Sequence, residues 1–357
     1  MTDLARLKAA LGRVVDPHLA QSLADLGWLE ALALEGEAAQ LRLAPGYAGA
    51  AQELAPALAA AAAAEGVTLV VSERPAIPRA APQGGLRGLD RVKNVIAVAS
   101  GKGGVGKSTT AANLALALAA LGAKVGVLDA DIYGPSQPMM LGLPAGTKPG
   151  VKDQAWFLPV QALGIEVMSI GFLLDSESTP VVWRGPKATG ALLQLLTQTL
   201  WSDLDYLVVD MPPGTGDIAL TLAQKVPVAG AVIVTTPQDI ALLDAKKGIE
   251  MFRKVGIPVL GVVENMALHV CANCGHAEAV FGEGGGERIA RDYDTVLLGQ
   301  LPLEKQIREQ ADSGRPTVAA APESSAAAHY LAIARRTGAA VAALARTDPK
   351  RISIVFE

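Results

Sequence analysis

Only two of the 357 residues are cysteine, Cys271 and Cys274, and they lie three positions apart, so no disulfide framework can be drawn from them. Aromatic residues make up 4% of the chain, too few for a platform that stacks the bases of single-stranded nucleic acid. A basic tract is also missing, and the formal charge of −4 argues against a duplex-binding protein. No uncharged apolar run reaches the roughly 18 residues that a bilayer-spanning helix needs. The opening Met1-Thr2-Asp3-Leu4 has neither the basic nor the apolar region of a secretory signal. These absences predict a cytoplasmic protein with no membrane and no nucleic-acid partner. What is plentiful is alanine, valine and leucine. Half of the residues are apolar, which is ample for a core of helices packed on a parallel sheet.

The pattern along the chain divides it into three parts: a small α+β domain over 1–75, a linker over 76–92 and a larger domain over 93–357. In the first, 4–14 and 45–64 read as helices, while 27–34, 38–43 and 67–72 read as strands, the first two split by a turn at Gly36. Residues 74–91 carry three prolines, three glycines and four arginines with little periodicity, as exposed linkers do. Beyond them, short apolar runs alternate with helical stretches. Strands are predicted at 95–99, 125–129, 167–170, 206–210, 230–235, 259–265 and 296–301. Their unbroken hydrophobicity suits strands covered on both faces, hence an α/β fold with a doubly wound, mostly parallel sheet. A last helix is expected over 324–345, with 352–356 as an edge strand or a loose tail.

The strand at 95–99 runs into Gly101-Lys102-Gly103-Gly104-Val105-Gly106-Lys107-Ser108-Thr109 and then a helix predicted over 109–121. Glycines let successive backbone N–H groups turn toward phosphate oxygens, and the helix N-terminus adds partial positive charge. Lys107 reaches the outer phosphates, and the Ser108 hydroxyl is a ligand for Mg²⁺. Two other strands end in carboxylates, where α/β sheets take their ligands. Asp210 suits the acidic residue that holds Mg²⁺ through water. Asp131 suits the orientation of attacking water, and Asp129 supports the metal or the loop. The glycines of Gly214-Thr215-Gly216-Asp217 suit a segment that senses the γ-phosphate.

A second lysine early in the loop, Lys102, is not needed to cradle one nucleotide. With it, the loop resembles the deviant Walker A ATPases, the group that holds the partition, septum-site and nitrogenase-iron-protein families. That resemblance implies that Lys102 reaches the nucleotide of a facing subunit, so that the working unit is a homodimer. It also implies that Asn265, closing the 259–265 strand, reads the adenine edge, with Gln300-Leu301-Pro302 on the other side of the base.

Cys271 and Cys274 form a pair that binds one face of a metal, whereas a closed site generally takes four ligands. Nearby in the chain only His276 and, more weakly, Glu278 could add to it; across a two-fold axis, two pairs supply four sulfurs. By itself the spacing leaves zinc, a redox pair and an incidental doublet open. Its setting adds more, because it follows Glu264-Asn265-Met266 and precedes Phe281-Gly282-Glu283-Gly284-Gly285-Gly286. Together with Asp129-Ala130-Asp131-Ile132-Tyr133-Gly134-Pro135-Ser136, Trp183-Arg184-Gly185-Pro186 and Asp210-Met211-Pro212-Pro213-Gly214-Thr215-Gly216-Asp217, it resembles the Mrp/ApbC/Nbp35 iron–sulfur cluster carriers over 94–303. The resemblance implies a [4Fe–4S] cluster bridged by Cys271 and Cys274 of each subunit, zinc being the metal such thiolates also accept. It further implies slow ATP hydrolysis, and apo iron–sulfur proteins and cluster scaffold proteins as partners.

The segment Val14-Val15-Asp16-Pro17-His18-Leu19 is similar to the MIP18-type domain fused to bacterial members of that group. Here His18 stands where an acidic residue is usual, and the module contains no cysteine. A docking role fits it better than a chemical one. Two other functions share the loop. A septum-site or partition-type positioning ATPase would act on membrane or DNA, for which neither an amphipathic anchor nor a basic face is evident. A metabolic kinase would need an Arg-rich lid and would leave Lys102 without a role.

Overall fold

The computed structural model describes residues 3–35, 38–80, 87–173, 185–271 and 273–347. They form two compact units: described residues through Ala80 with 121–123 and 338–347, and described residues 87–120 with 124–337. The tail expected at 352–356, the Gly36 turn and Trp183-Arg184 lie outside the described residues.

The smaller unit has a three-stranded sheet in the order Leu29–Glu35, Ala38–Leu43, Thr68–Glu73; the first pair is antiparallel and the second parallel. Helices Leu4–Gly12 and Ala50–Ala64 supply Leu7, Leu11, Leu54 and Leu58 to a core shared with Leu41, Leu43 and Tyr47. The second helix starts five residues later than its composition suggests, because Gly49 turns left-handed at φ 83° and Tyr47 is fully buried ahead of it. The Asp16-Pro17-His18 segment is a bonded turn. The buried Asp16 carboxylate accepts from the backbone N–H of His18 (3.0 Å) and Leu19 (2.8 Å) and from the Tyr47 hydroxyl (2.7 Å). His18 Nε2 in turn lies 2.8 Å from Glu53 Oε2. Within the stretch read as an exposed linker, Ile77, Leu89 and Val92 are buried, and Val92 already begins a strand.

In the larger unit an eight-stranded sheet runs in the order Leu297–Gln300, Val259–Glu264, Val228–Thr235, Val92–Ala99, Leu204–Asp210, Val125–Asp129, Ile165–Ser169, Val160–Ala162. All neighbours are parallel except the last pair, which is a hairpin. Its two-residue loop, Leu163-Gly164, has φ of 47° and 82°, as a tight primed turn requires. Sequence patterning does not reveal the Val160–Ala162 strand or the ribbon of Gly150–Lys152 with Trp156–Leu158, since three residues carry too little alternation. The inner strands are almost wholly buried apolar residues, each worth roughly 1.5–3 kcal/mol when a Val, Leu or Ile is removed from water. That core holds the polar strand ends in place. Chain order matters as much. From Val92–Ala99 the chain passes over one slot to Val125–Asp129, and Leu204–Asp210 later fills the gap. The crevice beyond the carboxyl ends at such a crossover is where sheets of this kind take ligands.

Candidate functional site

The glycine-rich loop leaves the sheet after Ala99 and ends where helix Lys107–Ala120 begins, two residues earlier than predicted. Two glycines are required by their neighbours. A Cβ on Gly101 would lie 2.1 Å from the Asp244 carbonyl, because helix Asp239–Lys254 packs directly on the loop. At Gly106, φ is 81° and a Cβ would lie 2.1 Å from Asn265 Nδ2.

Lys107 is buried and its Nζ lies 2.5 Å from Asp210 Oδ1, 3.2 Å from Ser108 Oγ and 3.8 Å from Asp131 Oδ2. Asp210 is fully buried, and its other oxygen accepts from Gln137 Nε2 at 2.9 Å. The same Nε2 donates to the Ser108 carbonyl at 3.0 Å. Asp129 organises the loop that follows it. Its carboxylate accepts from the backbone N–H of Asp131 (3.2 Å), Ser136 (2.9 Å) and Gln137 (3.0 Å) and from Ser169 Oγ (3.1 Å). Burial, and then the nearby Asp210, push Asp129 up to about 7, against the pull of those N–H groups and of Lys107. Asp131 is raised as well, again chiefly by burial. Three carboxylates thus surround one ammonium in a buried site, and burial together with this excess of acid raises two of them.

The loop residues Gly103 and Gly104 are exposed, Val105 is buried, and Thr109 accepts from Asn113 Nδ2 through its carbonyl. Lys102 is half-buried and pairs with no carboxylate among the described residues; its carbonyl accepts from Ser100 Oγ. Gly214 N–H donates to the Ser100 carbonyl at 2.9 Å, which ties the glycine segment after Asp210 to the start of the loop. Asn265 follows its strand and is 8% exposed, and its Nδ2 donates to the Val105 carbonyl at 2.9 Å. Its amide nitrogen is therefore engaged by the loop. Gln300, expected beside the base, instead donates from Nε2 to Glu264 Oε1 at 3.0 Å, and Leu301 is buried.

Sequence reasoning passed over two of these side chains. Gln137, just beyond the motif string that ends at Ser136, sits between the phosphate loop and Asp210. Glu264 is a fully buried carboxylate that takes the Gly286 N–H and Gln300 together. A glutamate closing an apolar strand ahead of a Gly-Gly-Gly run was the available signal for it.

The cysteines lie on a separate small hairpin, His269–Val270 paired with Ala277–Glu278. Cys271 N–H donates to the His276 carbonyl and Gly275 N–H to the Cys271 carbonyl, both at 2.9 Å. Cys271 is half-buried and Cys274 exposed. Backbone N–H groups of Cys274 and Asn273 and the Cys274 thiol point at the Cys271 sulfur and lower its pKa, which favours the thiolate. Among the described residues no group of three His, Cys, Asp or Glu side chains is gathered for a metal, so neither His276 nor Glu278 closes the pair into a site. Two residues before Cys271, His269 Nδ1 lies 2.9 Å from the Leu303 carbonyl.

A parallel sheet with this crossover, a glycine loop leading into a helix, and Lys107 against a strand-end aspartate define a P-loop NTPase. Residues 91–337 match the family described as NUBPL iron-transfer P-loop NTPase, and the chain belongs to that family. Residues 4–70 match a second family, described as iron-sulfur cluster assembly protein. An iron-sulfur cluster carrier protein of Pseudomonas fragi is 68% identical over 72% of this chain and 89% of its own length. One of Escherichia coli is 61% identical over 71% of this chain and 68% of its own. The mouse iron-sulfur cluster transfer protein NUBPL is 52% identical over 69% and 77%. Among solved structures, a nucleotide-binding protein of Archaeoglobus fulgidus in complex with ADP is 44% identical, covering 64% of this chain and 88% of that one with a TM-score of 0.57. The cell division ATPase MinD of Pyrococcus furiosus is similar in fold, at 23% identity and a TM-score of 0.52 over 68% and 97%. No helix of the described residues is long and apolar enough to cross a membrane.

Proposed function

We propose that the protein is an ATP-hydrolysing carrier that holds a [4Fe–4S] cluster between two copies of the chain and delivers it to apo-proteins in the cytoplasm, with cluster scaffold proteins as the donors. The observation that carries this reading is the cysteine pair. On its hairpin Cys274 is exposed and Cys271 half-buried, the Cys271 sulfur is favoured as thiolate by the N–H groups around it, and the pair is short of ligands within its own chain among the described residues. Two copies supply the four sulfurs that a cluster takes. Ile240 and Leu243, 71% and 57% exposed, lie on the helix packed against Gly101 and present apolar surface beside the loop for a second copy. Lys102, free of carboxylate partners among the described residues, is available to a nucleotide bound by that copy. The names of the relatives point to the same cargo. The MinD likeness, at this identity, concerns the fold and does not favour a positioning role.

For hydrolysis the donor set suits Mg²⁺: Ser108 Oγ, the Asp210 carboxylate and a buried Gln137 Oε1 without a hydrogen-bond partner are all hard oxygens. Ser108 and Asp210 would hold the ion, which when bound neutralises phosphate charge. The loop N–H groups and Lys107 bind the phosphates, and Asp131 orients the water. Asn265 holds the loop through Val105 and keeps its amide oxygen for the adenine edge. Asp129 bonds three backbone N–H groups of the 131–137 loop and so fixes where Asp131 stands. Anaerobic purification followed by iron and sulfide analysis tests the reading. Wild type is expected to hold about four irons per dimer, and Cys271→Ser none. A Cys271→Ser protein with undiminished iron and sulfide would sink the assignment, and zinc in place of iron would change the cargo.

A further inference from the structure

The Asp210 carboxylate divides its two oxygens between partners of different kinds. Oδ1 faces Lys107 Nζ, the charge that a nucleotide draws toward its phosphates, whereas Oδ2 is bonded to Gln137 Nε2. Gln137 is fully buried and held at both ends. Its backbone N–H donates to Asp129, and its side-chain amide to the Ser108 carbonyl as well as to Asp210. Both side-chain partners are acceptors, so the NH₂ end must face them and Oε1 must face away. That Oε1 is buried with no hydrogen-bond partner. A buried carbonyl left unpaired is costly and calls for a donor, such as a water in the shell of a hard cation.

Resting on the nucleotide reading above, we infer that Gln137 is the positioning residue that keeps Asp210 aimed at magnesium once Lys107 turns to the phosphates. Lys107 and Gln137 act on one carboxylate in different ways. The lysine supplies charge at Oδ1, and the amide holds the orientation through Oδ2. Because Gln137 also bonds the Ser108 carbonyl, it sets the spacing between the hydroxyl and the carboxylate proposed to share the ion. Residues of this kind, bonded to a metal's ligands, typically change metal affinity by about 10- to 100-fold when removed.

The test uses the full-length protein and a fluorescent ADP analogue, titrated once with Mg²⁺ and once with EDTA, so that no turnover is needed. Gln137→Met keeps length and volume but has no amide, and Gln137→Glu keeps the shape while placing an acceptor against two acceptors. The Mg²⁺-dependent gain in affinity should fall about 10-fold or more in both variants, with the loss in EDTA clearly smaller. An unchanged Mg²⁺ gain in either variant would overturn the inference. Equal loss of binding with and without Mg²⁺ in both would also overturn it, since that is what a merely structural residue produces. If the wild type itself binds no nucleotide, the nucleotide reading falls first and takes this inference with it.

Discussion

The nucleotide site and the cysteine hairpin are built on opposite principles. The first is buried at the carboxyl ends of strands near the middle of an eight-stranded sheet, and Lys107, Gln137, Asp129 and Asp210 bond one another. The second projects on two strands of two residues each, and its two thiols stand with no third metal-binding side chain among the described residues. A buried, mutually bonded site holds its geometry before the ligand arrives, as transition-state stabilisation needs. On the proposed function, a surface pair with an incomplete ligand set would release its cargo to whatever completes the coordination. Keeping the two apart would then let one chain be rigid at the nucleotide and open where exchange occurs.

The contrast predicts that each site can be lost without the other. The largest effect belongs to Lys107→Ala, which should lower ATP hydrolysis by at least about 100-fold while iron bound per chain stays at the wild-type level. Parallel loss of iron would mean that the two sites are not separable. Cys271→Ser should remove the iron and change nucleotide affinity by less than about 2-fold, since it breaks no bond in the buried site; isothermal titration measures this directly. Asn265→Ala removes the hydrogen bond to Val105 and should weaken nucleotide binding by about 1 kcal/mol, roughly 5-fold. A wild-type affinity for that variant would show that the loop needs no support from this strand.

A prediction of another kind concerns the pH dependence of stability measured without nucleotide. Asp129 titrates near 7 when folded, against 3.8 ordinarily, and Asp131 is shifted in the same direction. Between about pH 4 and 7 the folded chain therefore holds protons that the unfolded chain has released. That contribution to stability is present at the acid end of the window, falls as pH rises through it, and levels off above. Urea unfolding across the window should follow this slope for wild type, and a flatter one for Asp129→Asn. An equal slope in both would assign the drift to other groups.

Much of the larger unit could be read along the chain because its signals are contiguous. A strand, a glycine loop and a helix follow one another at 92–120, and the strand over Val125–Asp129 has the bounds its apolar run suggested. Boundaries slipped where a tertiary contact overrides local pattern. Buried Tyr47 and left-handed Gly49 delay a helix that composition would start at 45, and Ile77 and Leu89 are buried within a stretch of linker composition. Gln300, which its place in the chain leaves available to a base, is held by Glu264.

By itself the sequence determined which chemical groups exist and which loop carries them: a phosphate-binding loop, carboxylates at strand ends, and one pair of thiols three residues apart. Those readings depend on neighbours within a few residues, whose geometry local backbone rules set. Only the tertiary structure decided how the groups are joined. Gln137 meets Asp210 across 73 positions, Lys107 meets it across 103, and Asn265 reaches Val105 across 160. Contacts at such separations are set by the order of strands in the sheet and by the burial that leaves each polar group no partner but another.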